Sequence, residues 1–378
     1  TATLTPGNAS LIYHFSAQAG DKIAVPVGTV SGGTAHWQLL DRFGRNVIGS
    51  ATSLTTNRVA FQLVAGGDYT LLVEGAIGNT SDVTAQFQIN RAGFEAIPEL
   101  AEGTALSFGE TYSGTLPTWD ATTTYRFTLA EDARVLLDYL AGSTSTYWKL
   151  TGPKGLELDR LVYRGTDGYY SESVLNLVAG DYALTLRGAY ASDYSVSDGG
   201  AFSFRVIHAE SLPSLALGET VSATRTTATA TLGYRFEATA DQILVFNGID
   251  SAEYSYYGIW RVVDPHGRDV ASFTGDTLQT SYRMRVSGSY LLMREGSYSG
   301  NGQTTVSNVT LKLAEEQRAN LPFAFNATQT GQLADRHSVA EYRFVLDEAA
   351  TVLLDTLNTS TAGANRLRWD LYQGAIRV

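Results

Sequence analysis

The 378-residue sequence has no cysteine. That excludes disulfides, thiolate metal sites and cysteine nucleophiles together. Proline is scarce, 8 residues against 37 glycines, so tight turns are plentiful while proline-rich linkers are not. Lysine is scarcer still: Lys22, Lys149, Lys154 and Lys312 are the only lysines among 27 basic residues, and no basic run occurs. A formal net charge of −11 repels phosphate backbones and anionic membrane surfaces, so nucleic acid is not an expected partner. No apolar run approaches the ~18 residues of a bilayer span. No signal-peptide pattern and no initiator methionine are present.

What is there is apolar enough for real cores. Hydrophobic residues make up 44% and charged residues 17%, outside the range of a disordered chain. The length suits two to four domains.

An internal repeat organises the chain. Its first marker is an aromatic–basic–aromatic strand start: Tyr13-His14-Phe15, Tyr125-Arg126-Phe127, Tyr234-Arg235-Phe236 and Tyr342-Arg343-Phe344. The steps are 125 − 13 = 112, 234 − 125 = 109 and 342 − 234 = 108. The second marker is a tryptophan strand running into a glycine turn, starting at Trp37, Trp148, Trp260 and Trp369, with Gly44, Gly155 and Gly267 in the first three. The third is Gly-x-Tyr feeding an alternating strand: Gly67-Asp68-Tyr69, Gly180-Asp181-Tyr182 and Gly288-Ser289-Tyr290. Three markers that keep one order and nearly one period cannot be chance. A period near 110 residues is too long for a solenoid, so each unit is expected to bury its own core.

Pro98, Pro213 and Pro322 mark short joins. The expected division is 1–95, 96–210, 211–318 and a truncated fourth copy at 319–378. The incomplete copy suggests a segment of something longer.

Within each unit the apolar residues alternate. Tyr125, Phe127 and Leu129 share one face while Arg126 and Thr128 share the other, the period of a half-buried strand. Val135-Leu136-Leu137 is denser and reads as a central strand covered on both faces, with Val352-Leu353-Leu354 as its fourth-copy counterpart. No long stretch has helical period and caps. The expected fold is all-β: tandem antiparallel β-sandwich, jelly-roll-like domains of about eight strands each. Tyr13, Phe15, Trp37 and Tyr69 should meet in one core. So should Tyr125, Phe127, Trp148 and Tyr182 in the second copy, Tyr234, Phe236, Trp260 and Tyr290 in the third, and Tyr342, Phe344 and Trp369 in the fourth. Burying one such aromatic contributes roughly 2–3 kcal/mol before entropy.

The turn after the tryptophan strand carries a resemblance. Val262-Val263-Asp264-Pro265-His266-Gly267 matches a Leu-x-Asp-Pro-x-Gly-like pattern. Leu150-Thr151-Gly152-Pro153-Lys154-Gly155 follows it less closely, and Leu39-Leu40-Asp41-Arg42-Phe43-Gly44 lacks the proline. Together with the aromatic-x-Phe and Gly-x-Tyr strands, the chain resembles tandem pre-peptidase C-terminal domains of bacteria. The resemblance implies β-sandwich modules of secreted enzymes or large surface proteins, some of which bind calcium or carbohydrate.

Chemistry is hard to find. His14, His36, His208, His266 and His337 do not recur as histidines between copies, and none sits in a His-Glu-x-x-His motif. Gly296-Ser297-Tyr298-Ser299-Gly300 has tyrosine where a nucleophile elbow has serine. Phosphate and dinucleotide loops are absent. Asp138, Asn247 and Asp355 each fall 13 residues after their marker tyrosine and read as strand-end turns or caps, as do Asp68 and Asp181. Tyrosine is the one surface signal. Tyr169 and Tyr170, near Tyr163, Tyr190 and Tyr194, form one cluster; Tyr254, Tyr256 and Tyr257 form another. Exposed aromatics stack on sugar rings, although β-proteins also use tyrosine freely in strands.

No enzyme activity and no cofactor are expected, with calcium left open by the acidity. The leading expectation is a structural, spacer-like array of a bacterial extracellular or cell-surface protein, partnered by other domains or copies of the same large protein. The alternatives are carbohydrate-binding modules that recognise a surface glycan, or accessory domains of a secreted peptidase.

Overall fold

The computed structural model describes residues 1–142, 146–162, 174–188, 200–225, 227, 229–250, 259–274, 277–295, 307–333, 338–355, 370–373 and 376–377. The chain divides into two compact units, Thr1–Glu315 and Glu316–Val378, so the first three expected segments share one body. The structure is all-β. Among the described residues there is no α-helix, and Ala209–Ser211 forms a short 3-10 turn.

The second repeat shows the plan most fully. One sheet orders Thr104–Ala105, Thr122–Leu129, Gly180–Gly188, Thr146–Gly152 and Gly155–Leu161. The facing sheet orders Thr111–Leu116, Gly200–His208, Ala133–Gly142 and Leu175–Leu177. Every pairing is antiparallel except the lead-in, where Thr104 and Ala105 run parallel to Tyr125 and Arg126. The third repeat repeats both sheets with Leu232–Ala238, Gly288–Glu295 and Ile259–Val263 in the same order. In the first repeat the second sheet is split into two three-stranded pieces. Pro26 and Gly28 separate Asp21–Val25 from Thr29–Ser31, and proline, with no N–H to donate, cannot continue the ladder.

Three clusters of buried side chains lie within residues 4–85, 106–206 and 215–313. The markers build them the same way each time. Phe15 faces Tyr69, Phe127 faces Tyr182 and Phe236 faces Tyr290 across the ladder. Each pair stacks, with centroids 5.6, 5.1 and 5.4 Å apart. Each tyrosine hydroxyl donates to the carbonyl four residues earlier, Ala65, Val178 or Val286, at 2.6–2.7 Å. Trp37, Trp148 and Trp260 are fully buried, and their indole N–H groups have no acceptor among the described residues. The tryptophans therefore act through area and shape, not through a hydrogen bond.

In the second and third repeats the glycine before the marker tyrosine is required twice over. Gly180 and Gly288 have φ of 140°, and a Cβ would come within 2.5 Å of Pro153 Cγ and 2.9 Å of Pro265 Cγ. The turn proline thus lies against the glycine of the next marker, which ties the two motifs into one structural device.

Tyr13 departs from the expected core. It is 39% exposed and meets Phe87 edge-on at 5.5 Å, at the rim beside the split sheet.

In Glu316–Val378, Gln317–Pro322 runs parallel to Ser338–Arg343, and Tyr372–Gln373 pairs with Ile376–Arg377. Phe323, Phe325 and Phe344 form a small ring cluster with centroids 5.0–5.2 Å apart, and Tyr342 lies 6.4 Å from Phe323. Trp369 lies outside the described residues. Val352-Leu353-Leu354, expected as a covered central strand, is not a strand, and Leu353 is 89% exposed. Its counterpart in the second repeat is held between Gly200–His208 and Leu175–Leu177, and Ser338–Arg343 and its lead-in supply neither neighbour.

Candidate functional site: the joints between repeats

The dense run Val135-Leu136-Leu137 explains the strongest joint. Strand alternation sends Val135 and Leu137 into the second repeat's own core. Leu136 points the other way, into a fourth cluster with Val174, Ile207 and Ala209, where Val263, Leu291 and Met293 of the third repeat meet it. One strand therefore serves a core on one face and a joint on the other.

Polar groups close the rim of this joint. Arg134, 7% exposed, donates Nη2 and Nε to Glu210 Oε1 at 2.5 and 3.2 Å. Its Nη1 donates to the carbonyls of Asp264 and Ser289 at 3.1 and 2.9 Å, both in the third repeat. Arg235 donates to the other oxygen of Glu210 at 3.3 Å and to the carbonyl of Leu212 at 3.0 Å. Burial works against the Glu210 charge, but Arg134 and Arg235 outweigh it and hold the carboxyl below its usual range.

Asp138 was expected to be a strand-end turn or cap. It lies inside Ala133–Gly142, fully buried, and is a joint residue. Its carboxylate accepts from Arg205 Nε at 2.6 Å and from the Thr231 amide at 3.1 Å, while Arg205 Nη2 donates to the Thr231 carbonyl at 2.8 Å. Burial pushes the Asp138 carboxyl up against the opposing pull of Arg205. Its position in the middle of a strand, and not after it, was the signal that spacing alone missed. Asp68 and Asp181 open their strands and accept from Ser16 and Thr128 directly across, each at 2.6 Å.

The joint between the first and second repeats is built differently. Arg45 Nη2 donates to the Lys154 carbonyl at 2.5 Å, and Lys154 Nζ lies 5.8 Å from the Phe43 ring centre. Among the described residues no buried apolar cluster crosses it. Glu157 sits nearby with one carboxylate oxygen buried and lacking a hydrogen-bond partner. Burial, with a smaller push from Asp41, raises its pKa against Lys154 and Arg45.

The tryptophan-strand turns are the contact elements in both joints. Asp41 accepts from the amides of Phe43 and Arg45, each at 3.0 Å, and Asp264 accepts from those of His266 and Arg268, each at 2.9 Å. The second repeat has Gly152 there. Lys154 Nζ then donates to the Asn176 carbonyl at 3.2 Å, and Asn176 Nδ2 donates to the His266 carbonyl at 2.9 Å. The series Arg45, Lys154, Asn176, His266 links all three repeats.

No group of three or more His, Asp or Glu side chains able to hold a metal occurs among the described residues. Tyr163, Tyr169, Tyr170, Tyr190, Tyr194, Tyr254, Tyr256 and Tyr257 all lie outside them. Trp119, the fifth tryptophan, belongs to no marker and went unnoticed in the repeat. It is 40% exposed, and its backbone packs on Gly188. The neighbouring Arg187 stacks 4.3 Å over the Tyr147 ring and pairs with Asp159 at 3.2 Å.

No family model matches the chain, and no curated protein matches it. Solved structures do. The chain is similar to the pre-peptidase C-terminal domain of a collagenase from Bacillus anthracis, at 14% identity and a TM-score of 0.22, over 27% of this chain and 93% of that one. It is also similar to the CUB1-EGF-CUB2 domains of human MASP-1/3, at 13% identity and a TM-score of 0.18, over 54% of this chain and 99% of that one. A third is the M60 catalytic domain with two CBM51 domains of Clostridium perfringens ZmpB, at 12% identity and a TM-score of 0.18, over 82% of this chain and 34% of that one. The fold itself rests on the strand pairings described above.

Proposed function

We propose that these repeats form a non-catalytic structural array of a bacterial extracellular or cell-surface protein, in which the repeats hold one another in fixed register. The observation that carries this reading is the joint between the second and third repeats. There a buried apolar cluster, the Arg134–Glu210–Arg235 network and the Asp138–Arg205–Thr231 bonds make two sandwiches continuous. A passive linker would leave that face polar. Because the chain has no cysteine, exposed Glu131 and Glu219 can each be replaced by a spin-labelled cysteine without background. The expected result is a single narrow distance distribution between the labels. A broad one would remove the spacer role.

Carbohydrate recognition is the second reading, and Trp119, a large exposed aromatic, favours it. A glycan array probed with and without calcium tests it: hits lost in Trp119→Ala support it, and an empty array ends it.

A further inference from the structure

After a short lead-in, the second and third sandwiches each begin and end on neighbouring strands of one sheet. In the second, the entry strand Thr111–Leu116 lies antiparallel beside the exit strand Gly200–His208, with Thr111 opposite Arg205 and Leu116 opposite Gly200. In the third, Thr220–Arg225 lies beside Ser307–Glu315, with Thr220 opposite Lys312 and Arg225 opposite Ser307. The chain therefore enters and leaves each repeat at the same end of the pair. Tension carried through the chain pulls that end apart and loads the rungs one after another. A ladder pulled along its length shares the force among all its rungs, and these ladders do not.

The two partners are not equally held. Among the described residues each entry strand is a sheet edge with a single neighbour, whereas each exit strand lies between two. Gly200–His208 also pairs with Ala133–Gly142, and Ser307–Glu315 also pairs with Ile243–Asp250. The entry strand is the one that peels.

What precedes the entry strand differs between the two repeats. Ahead of Thr111, Thr104 and Ala105 pair with Tyr125 and Arg126, and the Leu106 amide donates to the Arg126 carbonyl at 2.7 Å. Ahead of Thr220 the chain passes through the firm joint. There Arg134 and Arg235 hold Glu210, Arg235 holds the Leu212 carbonyl, and Ala209 lies in the shared apolar cluster. Tension must break these contacts before it reaches Thr220.

We propose that the first three repeats respond to tension in a set order: the second repeat peels at its entry strand, and the joint locks the entry of the third. Peeling residues 104–116 releases roughly 40 Å of chain, at ~3.3 Å per residue, while the other strands of the second repeat stay paired. The peeling follows from strand order and register. Its use as compliance rests on the array role proposed above, which the spin-label distances test separately.

Because the chain has no cysteine, a disulfide can be placed where it blocks the peel. Ser113 and Ser203 stand opposite each other with hydroxyls 3.0 Å apart, and Ser222 and Thr310 are their counterparts in the third repeat, 3.3 Å apart. Directly facing strand residues lie within disulfide reach. The 378-residue protein is held by its ends in an optical trap, and each double-cysteine variant is stretched both reduced and oxidised. Wild type and reduced Ser113→Cys with Ser203→Cys should both show a low-force step of roughly 40 Å, and oxidation of the variant should remove it. Oxidised Ser222→Cys with Thr310→Cys should keep every low-force step of its reduced form. Absence of the step from wild type, its survival in the oxidised Ser113–Ser203 variant, or loss of a low-force step on oxidising the third-repeat pair would each overturn the proposal. Each variant is compared with its own reduced form, so a folding defect is told apart from the cross-link.

Discussion

The two joints of the first unit use the same turn and reach different strengths. Where the third repeat meets the second, its turn docks on a face that presents Leu136, Ile207 and Val174. Where the first meets the second, Arg45 and Lys154 make the contact between two turns and no apolar cluster lies beneath them. The difference traces to single outward-facing positions. Leu136 corresponds to Ala24 in the first repeat, and Leu291 and Met293 correspond to Ala183 and Thr185 in the second. A hydrogen bond between exposed groups exchanges water for protein at little net gain, whereas removing apolar surface from water does not. A repeat scaffold can therefore set the stiffness of each joint through two or three outward residues without altering the core.

Arg134 is the sharpest place to break the comparison. Arg134→Ala leaves two buried backbone carbonyls without their donor and Glu210 with Arg235 alone, and should cost about 2–3 kcal/mol. Chemical denaturation should then separate the second and third repeats into two transitions. A single unchanged transition would show that the apolar cluster alone joins them. Leu136→Ala should cost about 2–4 kcal/mol, by lost transfer energy and the cavity left behind, measured the same way. Removal of the Lys154 ammonium, which faces the Phe43 ring and whose bond to the Asn176 carbonyl is exposed, should change stability by less than about 1 kcal/mol. A larger loss would mean that the first joint is not the weaker one.

Acid should act on Glu210 and Glu157, one at each joint, in opposite directions. The Glu210 carboxyl is held below the 4.5 of a free glutamate, so its contribution is present above that pH and is lost as pH falls through its folded value. Glu157 is raised, so its contribution is full below 4.5 and is lost as pH rises through its folded value. Asp138, also raised, opposes Glu210 within the same joint, so the effects are separated by variants. The stability difference between wild type and Glu210→Gln should shrink on acidification. Glu157→Gln should be more stable than wild type at neutral pH, with the advantage vanishing in acid. These are the smallest expected effects, read from denaturation midpoints across a pH series.

Much of this was legible beforehand. Period-two alternation and recurring aromatics specify half-buried strands, so the all-β class and a shared core for the marker aromatics followed from local pattern, while the register that sets Phe opposite Tyr did not. The joints were only half legible. Three consecutive apolar residues at Val135-Leu136-Leu137 signalled a strand covered on both faces, but not that the outer cover is the next repeat. Asp138 was misread because a spacing from a marker does not say whether a residue ends a strand or sits within it. Arg134 and Trp119 carried no motif, since a single arginine within a strand or a single tryptophan outside a repeat has no periodicity to betray it.

The amino-acid order on its own determined what each repeat buries within itself: alternation along a strand is set by backbone geometry, and apolar side chains on one face must leave water. Which outward faces meet, and therefore which joint is firm, was decided by tertiary structure alone. Contact between residues 134 and 289 depends on the positions of two whole sheets, and no local preference encodes that.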